Sequence, residues 1–393
     1  MIKFDFDNKC CGCFACADSC PKQCITQIKN KHGFLVPSVN ESVCINCHLC
    51  EKVCPVLKPE GNNFENRKVF SAYNNNDEIR AAGSSGSIFY TLAKKIINLG
   101  GIVYGAAFDK IFKLKHTSAE CIEELLPLLK SKYLQSNTIG VYKSVKTQLK
   151  TGRYVLFVGT PCQCNALYKY LGNQKPENLL LVDFICHGVP SQELFDNALA
   201  NYEKKHNCKI EEFSFRHKTP NCIHSFRLKT KGMNSTNHYF EASYTEFPFY
   251  YGFKKYICLR ESCYNCQFCV EERVSDLTMA DFWELDKIDN SISKQEFNKG
   301  ISMIICNSGK GIKAFQSIED SMSVKERYVD DISKINYAYS KRTKKGIYAK
   351  RFWKDYNNMS YEELENKYFT YVPFRDLSFL KQLEIYLIAK LKL

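Results

Sequence analysis

The pattern Cys-x-x-Cys-x-x-Cys-x-x-x-Cys-Pro occurs twice near the start of the chain. Cys10, Cys13, Cys16 and Cys20 recur as Cys44, Cys47, Cys50 and Cys54, a shift of 34 residues. A repeat at a fixed period is one structural unit used twice. The chain has 21 cysteines in 393 residues, ten of them before Glu60. A disulfide framework belongs to small secreted chains. This chain is long, and its cysteines are bunched at metal-ligand spacings, so a reducing compartment and a metal role are expected.

Three thiolates two residues apart can wrap one iron–sulfur cube from a single tight loop. The fourth starts a helix, points the other way and ligates the neighbouring cube. The spacing therefore assigns one 4Fe–4S cluster to Cys10, Cys13, Cys16 and Cys54. It assigns a second to Cys44, Cys47, Cys50 and Cys20. Zinc sites take ligands in two pairs, not in a run of four ending in Pro. Cys11 and Cys24 fall outside the pattern and read as packed thiols. The segment resembles a bacterial two-cluster 4Fe–4S ferredoxin. Two such clusters side by side are a one-electron wire, so any substrate chemistry must lie further along.

The polar stretch Lys58–Arg67 reads as a linker. Apolar runs then alternate with helical segments. Strands are expected at Val69–Tyr73, Ile102–Phe108, Tyr154–Val158 and Leu179–Ile185. Helices are expected at Ser87–Leu99, Val141–Leu149, Cys162–Leu171 and Gln192–Lys205. Such alternation argues for an α/β domain. A strand-rich part follows, over Glu212–Arg216, Phe226–Lys229 and Tyr239–Tyr244. The expected fold class is α+β: a small ferredoxin-like two-cluster domain (1–58), then a larger α/β domain in two parts (68–150 and 151–325), the second carrying the later cysteines, and a basic helical tail (326–393). Phe379–Leu393 has an amphipathic pattern, with Leu380, Leu383, Leu387 and Leu391 on one stripe, and is expected to pack on the core.

Four groups of residues after the linker carry chemistry. Gly83-Ser-Ser-Gly-Ser87 opens a helix and offers backbone N–H groups to an anion, or simply caps it. Ser131–Ser136 is a polar, hydrogen-bonding stretch. Val158-Gly-Thr-Pro-Cys-Gln163 and Asp183-Phe-Ile-Cys-His-Gly188 each leave a strand, where ligands bind in open α/β sheets. Cys258, Cys263, Cys266 and Cys269 form the fourth group. Cys258, Cys263 and Cys266 match a plant-type 2Fe–2S spacing, with Cys306 as a remote fourth ligand. Alternatively Cys263 and Cys266 join Cys162 and Cys186 around a third cube, or the loop's own four cysteines bind zinc.

In order and spacing, SSGSIFYTLA, GGIVYGAAFD, SKYLQS, VLFVGTPCQ, VDFICHGVPS, SFRHK, CLRESCYNCQF and SDLTMADFW closely resemble the coenzyme F420 hydrogenase/dehydrogenase beta-subunit family, over about residues 70–285. The resemblance implies FAD and a third 4Fe–4S cluster held by Cys162, Cys186, Cys263 and Cys266, with Cys164, Cys258 and Cys269 as rivals. It places the flavin near Ser84, Ser85, Gly86, Lys132, Tyr133, Gln135, Ser136 and Thr160, and gives Lys132 and His187 candidate catalytic roles. The chain departs from the family at Leu129-Lys130, where Arg-Gly is usual, and at Ala280 and Glu284, where Gly is usual.

The expected activity is a flavin-dependent iron–sulfur oxidoreductase, passing electrons between a ferredoxin- or flavodoxin-type carrier and a small-molecule two-electron substrate. The alternative is an electron-relay subunit that docks on a catalytic partner. The formal charge of +13 invites a nucleic-acid reading. However, three oxidised clusters would lower it to roughly +7, and no recognition helix or stacking motif accompanies the cysteines. The basic run from Lys341 to Lys354 reads as a solvated face, with docking of an acidic carrier as the lesser reading. No run approaches the roughly 18 apolar residues of a spanning helix. The start, MIKFDFDNKC, has no apolar stretch of a secretory signal, so a cytoplasmic location is expected.

Overall fold

The computed structural model describes residues 2–219, 222–232 and 237–371, together with Ser378, Gln382 and Ile385. The apolar stripe expected at Leu380, Leu383, Leu387 and Leu391 lies outside the described residues.

The cysteine repeat is a structural repeat. Each half places a left-handed residue, Phe14 (φ 54°) or His48 (φ 60°), before a one-turn helix, Ala15–Asp18 or Leu49–Lys52. Between the halves, β1 (Ile25–Lys29) and β2 (Leu35–Val39) form an antiparallel hairpin with Ile25 opposite Val39. This ferredoxin-like part is tied to the rest. Asp18 accepts from the backbone N–H groups of Gly140 (2.6 Å) and Tyr142 (3.0 Å), supplying the carboxylate that the helix Val141–Lys150 lacks at its own start. The expected linker has no regular structure at its centre, and Asn165 Nδ2 holds the Glu60 carbonyl at 2.6 Å.

The larger part is built on one eight-stranded sheet. Its strands are β3 (Lys68–Asn74), β4 (Ile102–Phe108), β5 (Leu114–Ala119), β6 (Val155–Gly159), β7 (Leu179–Phe184), β11 (Leu277–Asp281), β12 (Ser302–Cys306) and β13 (Met322–Arg327), in the order β13-β3-β12-β11-β7-β6-β4-β5. The central four, β4, β6, β7 and β11, are parallel, and antiparallel pairs flank them. The near-continuous apolar runs of β6 and β7 follow from that position, since both faces are covered. The expected boundary at residue 325 falls inside β13, which pairs with β3.

A separate three-stranded sheet holds β8 (Cys208–Thr219), β9 (Cys222–Gly232) and β10 (Asn237–Ser243). These strands run longer than the sequence pattern suggests. Register shifts between Ile210 and Glu212, and between Ser214 and His217, break the alternation by which a strand is recognised. An aromatic core lies beneath this sheet, with Phe195, Phe215, Phe226, Phe249, Tyr250 and Phe352 buried. Among the described residues no helix is long and apolar enough to cross a membrane.

Candidate functional site

Cys20, Cys44, Cys47 and Cys50 line one small cavity, with Cys24 beside them and its Sγ 3.3 Å from that of Cys20. Cys54 stands instead with the first run. Its charge acts on Cys10, Cys13 and Cys16, and burial pushes the Cys10 and Cys16 thiols up. Cys20 thus lies with the second run, and Cys54 lies outside that cavity. Four thiolates gathered in a dry setting need positive charge between them, which an iron–sulfur cube provides. Among the described residues no three His, Cys, Asp or Glu side chains are arranged to hold a single metal ion. The described cysteines are all free thiols.

A second group of thiols forms where the parallel strands end. After β6, Thr160 and Gln163 close a capping box and Pro161 takes the first helical position, which sets Cys162 at the start of the helix Pro161–Tyr170. After β7 come Cys186 and His187. Gly188 has φ +105°, and a Cβ there would lie 3.0 Å from the Cys263 Cβ, so only glycine lets the two segments meet. Cys162, Cys186, Cys263 and Cys266 line one cavity of about 570 Å³. Cys11 and Cys269 line it too. Sequence reasoning set Cys11 aside, but it lies in hydrogen-bonding reach of both Cys13 and Cys162. The one signal for this was its place beside Cys10, since neighbouring side chains in a tight loop point to opposite sides.

The thiols differ in their settings. Burial pushes Cys186 up to about 12. Cys266 falls to about 7 because it accepts from Cys269. Of the cations that line the cavity, Lys9, Arg273 and Arg342, Arg273 is buried and paired with Asp183 at 3.3 Å. The other expected ligands lie elsewhere. The Cys164 Sγ faces the Val182 carbonyl at 3.3 Å. Cys258 is buried in the aromatic core, and Cys306 sits on β12 opposite Leu277. The plant-type set Cys258, Cys263, Cys266 and Cys306 is thus split among different surroundings.

A further cavity, of about 510 Å³, opens on the other side of the same strand ends. That volume is in the range of small-molecule and cofactor sites. Ser84, Ser85, Lys132, Tyr133, Ser136, Thr160 and His187 line it, as do Lys254, Asp281 and Trp283. Two of the expected flavin residues do not. Gly86 lies behind the wall, where a Cβ would come within 2.2 Å of the Ala72 carbonyl oxygen. Gln135 turns to the thiol cavity and donates to the carbonyls of Cys11 (2.9 Å) and Gly12 (3.0 Å).

The two cavities share a wall made by Leu134, Ser136, Thr160, Gln163, Cys186, Gly188 and Val189. His116 braces it. Its Nε2 donates to the Val158 carbonyl at 3.0 Å, so its Nδ1 accepts from Ser136 Oγ at 2.8 Å, and Ser136 Oγ in turn accepts from Gln163 Nε2. On the far side, the buried Arg216 grips Asp281 through both terminal nitrogens (2.8 and 3.1 Å), and donates to the Ser84 carbonyl (2.6 Å) and the Tyr133 hydroxyl (3.1 Å). Arg216, Asp281 and Trp283 lay within segments matched in sequence, but nothing local marked them as cavity residues.

Lys132 Nζ donates to the carbonyls of Pro127 (2.7 Å) and Leu129 (2.6 Å), and burial with Lys130 nearby pulls its ammonium down to about 7. His187 is drawn down to about 4 by burial. Its Nδ1 lies 3.3 Å from the Tyr256 hydroxyl, and its carbonyl accepts from Thr343 Oγ1 at 3.0 Å.

Residues 152–332 match the family model for the C terminus of the coenzyme F420 hydrogenase/dehydrogenase beta subunit, and residues 9–57 match that of a 4Fe-4S dicluster domain. Among solved structures, the chain is similar to one in the F420-reducing [NiFe] hydrogenase complex from Methanosarcina barkeri. The two are 15% identical, the match covers 70% of this chain and 89% of that one, and the TM-score is 0.44. No curated protein matches the chain.

Proposed function

We propose that this chain, with its matches to a 4Fe-4S dicluster domain and to the C terminus of a coenzyme F420 hydrogenase/dehydrogenase beta subunit, is a flavin-dependent iron–sulfur oxidoreductase that links a one-electron carrier to a two-electron substrate. In this reading Cys10, Cys13, Cys16 and Cys54 hold one cluster, and Cys20, Cys44, Cys47 and Cys50 the next. Cys162, Cys186, Cys263 and Cys266 hold a third, and FAD occupies the cavity beyond it. The observation that carries the reading is the wall common to the thiol cavity and the serine- and lysine-lined cavity.

When bound, clusters exchange single electrons and a flavin exchanges one or two, which suits a junction between a ferredoxin- or flavodoxin-type carrier and a hydride-type substrate. The chain's own part is to orient and to exclude water. Arg216 and Asp281 fix the shape of the cavity, and Lys132 and His187 are the side chains we set against the reacting ring. A reducing, oxygen-poor cytoplasm suits so many free thiols. The rival reading, a relay subunit serving a catalytic partner, draws on the rim at the other end of the chain of thiols. There Cys47 is exposed among Val43, Ile45 and Leu49, all exposed as well.

Anaerobic purification with iron, sulfide, zinc and flavin assays tests the scheme. Roughly twelve irons and one FAD per chain are expected. Clusters without flavin would favour the relay, and a colourless protein would overturn both readings.

A further inference from the structure

We propose that the buried Arg273 is the fixed charge that sets the reduction potential of the third cluster, favouring its reduced form, and that Asp183 limits the effect. This rests on the third cluster of the reading above.

Arg273 follows the loop of Cys263, Cys266 and Cys269 and is 3% exposed. Every nitrogen of its guanidinium is engaged. Nε donates to the Val270 carbonyl at 2.8 Å, Nη2 to the Tyr339 carbonyl at 3.0 Å, and Nη1 to Asp183 Oδ2 at 3.3 Å. Its Cζ lies 5.3 Å from the Tyr339 ring centroid. Held on these sides, the charge cannot swing out to water, and it stays in the wall of the thiol cavity.

Asp183 does not cancel this charge at the cavity, because the pair presents its positive end there. Asp183 ends β7 behind the wall, 1% exposed and not among the lining residues, and its Oδ1 accepts from Thr278 Oγ1 at 2.6 Å. The effects on the thiols sort the same way. At Cys164, outside the cavity, the charge of Asp183 outweighs that of Arg273. Cys186, Cys266 and Cys269 line the cavity, and the charge of Arg273 acts on all three.

The other charged lining residues are Lys9, Arg342 and Glu261. Lys9 and Arg342 are exposed, so solvent screens them. Glu261 pairs with Lys345 at 2.6 Å. Arg260 is buried too, but it does not line this cavity and its charge acts on Cys10 of the first run.

A cluster that takes one electron from the clusters of the repeat gains one negative charge, and no bond forms or breaks. In a dry setting a fixed cation stabilises the reduced form more than the oxidised one, which raises the potential. The electron is thereby drawn to the wall shared with the flavin-sized cavity.

The test is an anaerobic potentiometric titration of the full chain with dithionite and mediators, followed by electron paramagnetic resonance. The signal that Cys162→Ser removes identifies the third cluster. In Arg273→Gln its midpoint should fall by about 59 mV or more, a tenfold change in a one-electron equilibrium. In Arg273→Lys it should stay near the parent value, and in Asp183→Asn it should rise, while the midpoints of the repeat's clusters hold. Should Arg273→Gln lose iron, Asp183→Asn decides by itself. An unmoved midpoint in Asp183→Asn, an unmoved midpoint in an iron-replete Arg273→Gln, or an equal fall in Arg273→Lys overturns the proposal. A parent chain with only about eight irons overturns the third-cluster reading and this proposal with it, whereas twelve irons with unmoved midpoints overturn this proposal alone.

Discussion

Arg260 Nε donates to Gln135 Oε1 at 2.7 Å, and together the two side chains clasp the first ligand loop. Arg260 also donates to the carbonyls of Cys10 (3.1 Å) and Leu35 (2.7 Å), while Gln135 takes those of Cys11 and Gly12. Thr138 holds the next one, the Cys13 carbonyl, at 2.7 Å. The carbonyls of Cys10 to Cys13 are thus fixed by residues more than a hundred positions away. This sets the loop against the thiol cavity.

Removing the buried guanidinium strands several acceptors at once. Arg260→Ala should cost about 3 kcal/mol or more of stability. It should also loosen the first ligand loop, so iron should fall along with the thermal midpoint. Circular dichroism melts and iron assays on matched preparations check this. A midpoint within about a degree of the parent would contradict the clasp.

The two models for the later cysteines make opposite predictions. Cys162→Ser should lower iron by about four per chain, while Cys258→Ser, in the aromatic core, should leave it unchanged. The reverse pattern would restore the plant-type assignment.

His116 gives the shared wall a pH dependence. Burial lowers its pKa from 6.5 to about 4. A histidine whose folded value lies below its unfolded one binds fewer protons when folded, so stability rises with pH between the two values. Its contribution is complete above about pH 6.5 and lost as pH falls towards 4. The full span is worth up to about 3 kcal/mol. Melts of the parent should therefore fall more steeply below pH 6.5 than those of His116→Gln. Parallel curves would exclude His116 as the source.

Gly86→Ala tests the wall behind the serines. The added Cβ would meet the Ala72 carbonyl at 2.2 Å and the Tyr73 Cα at 2.9 Å, both backbone atoms that cannot step aside. A loss of about 2 kcal/mol or more is expected, with a lower FAD content. Unchanged melting and flavin would show that β3 yields there.

Much of this arrangement was legible in the sequence, because it is local. The cysteine runs set which thiols share a loop, and the apolar runs at Ile102–Phe108 and Leu179–Phe184 mark buried strands. Strand ends carrying Cys162, Cys186 and His187 follow from the alternation of strands and helices. What could not be read is set by contacts across the chain. Gln135 looks like its neighbour Ser136, yet it faces the thiols while Ser136 serves both cavities. Lys254 and Trp283 sit in unrelated segments, and only the packing of a helix end against the end of β11 brings them together. Cys11 was hidden by its own repeat, whose pattern accounts for every cysteine around it.

The three groups of thiols also differ in when they exist during synthesis. By the time Pro55 has been added, all eight cysteines of the repeat are present, and their two sites can close within one short stretch of nascent chain. The third site has no complete wall until Cys266 emerges, because its thiols come from loops at residues 162, 186 and 263–266. Under the proposed assignment, the ligands of a third cluster are complete only at Cys266, long after Cys54 ends the repeat.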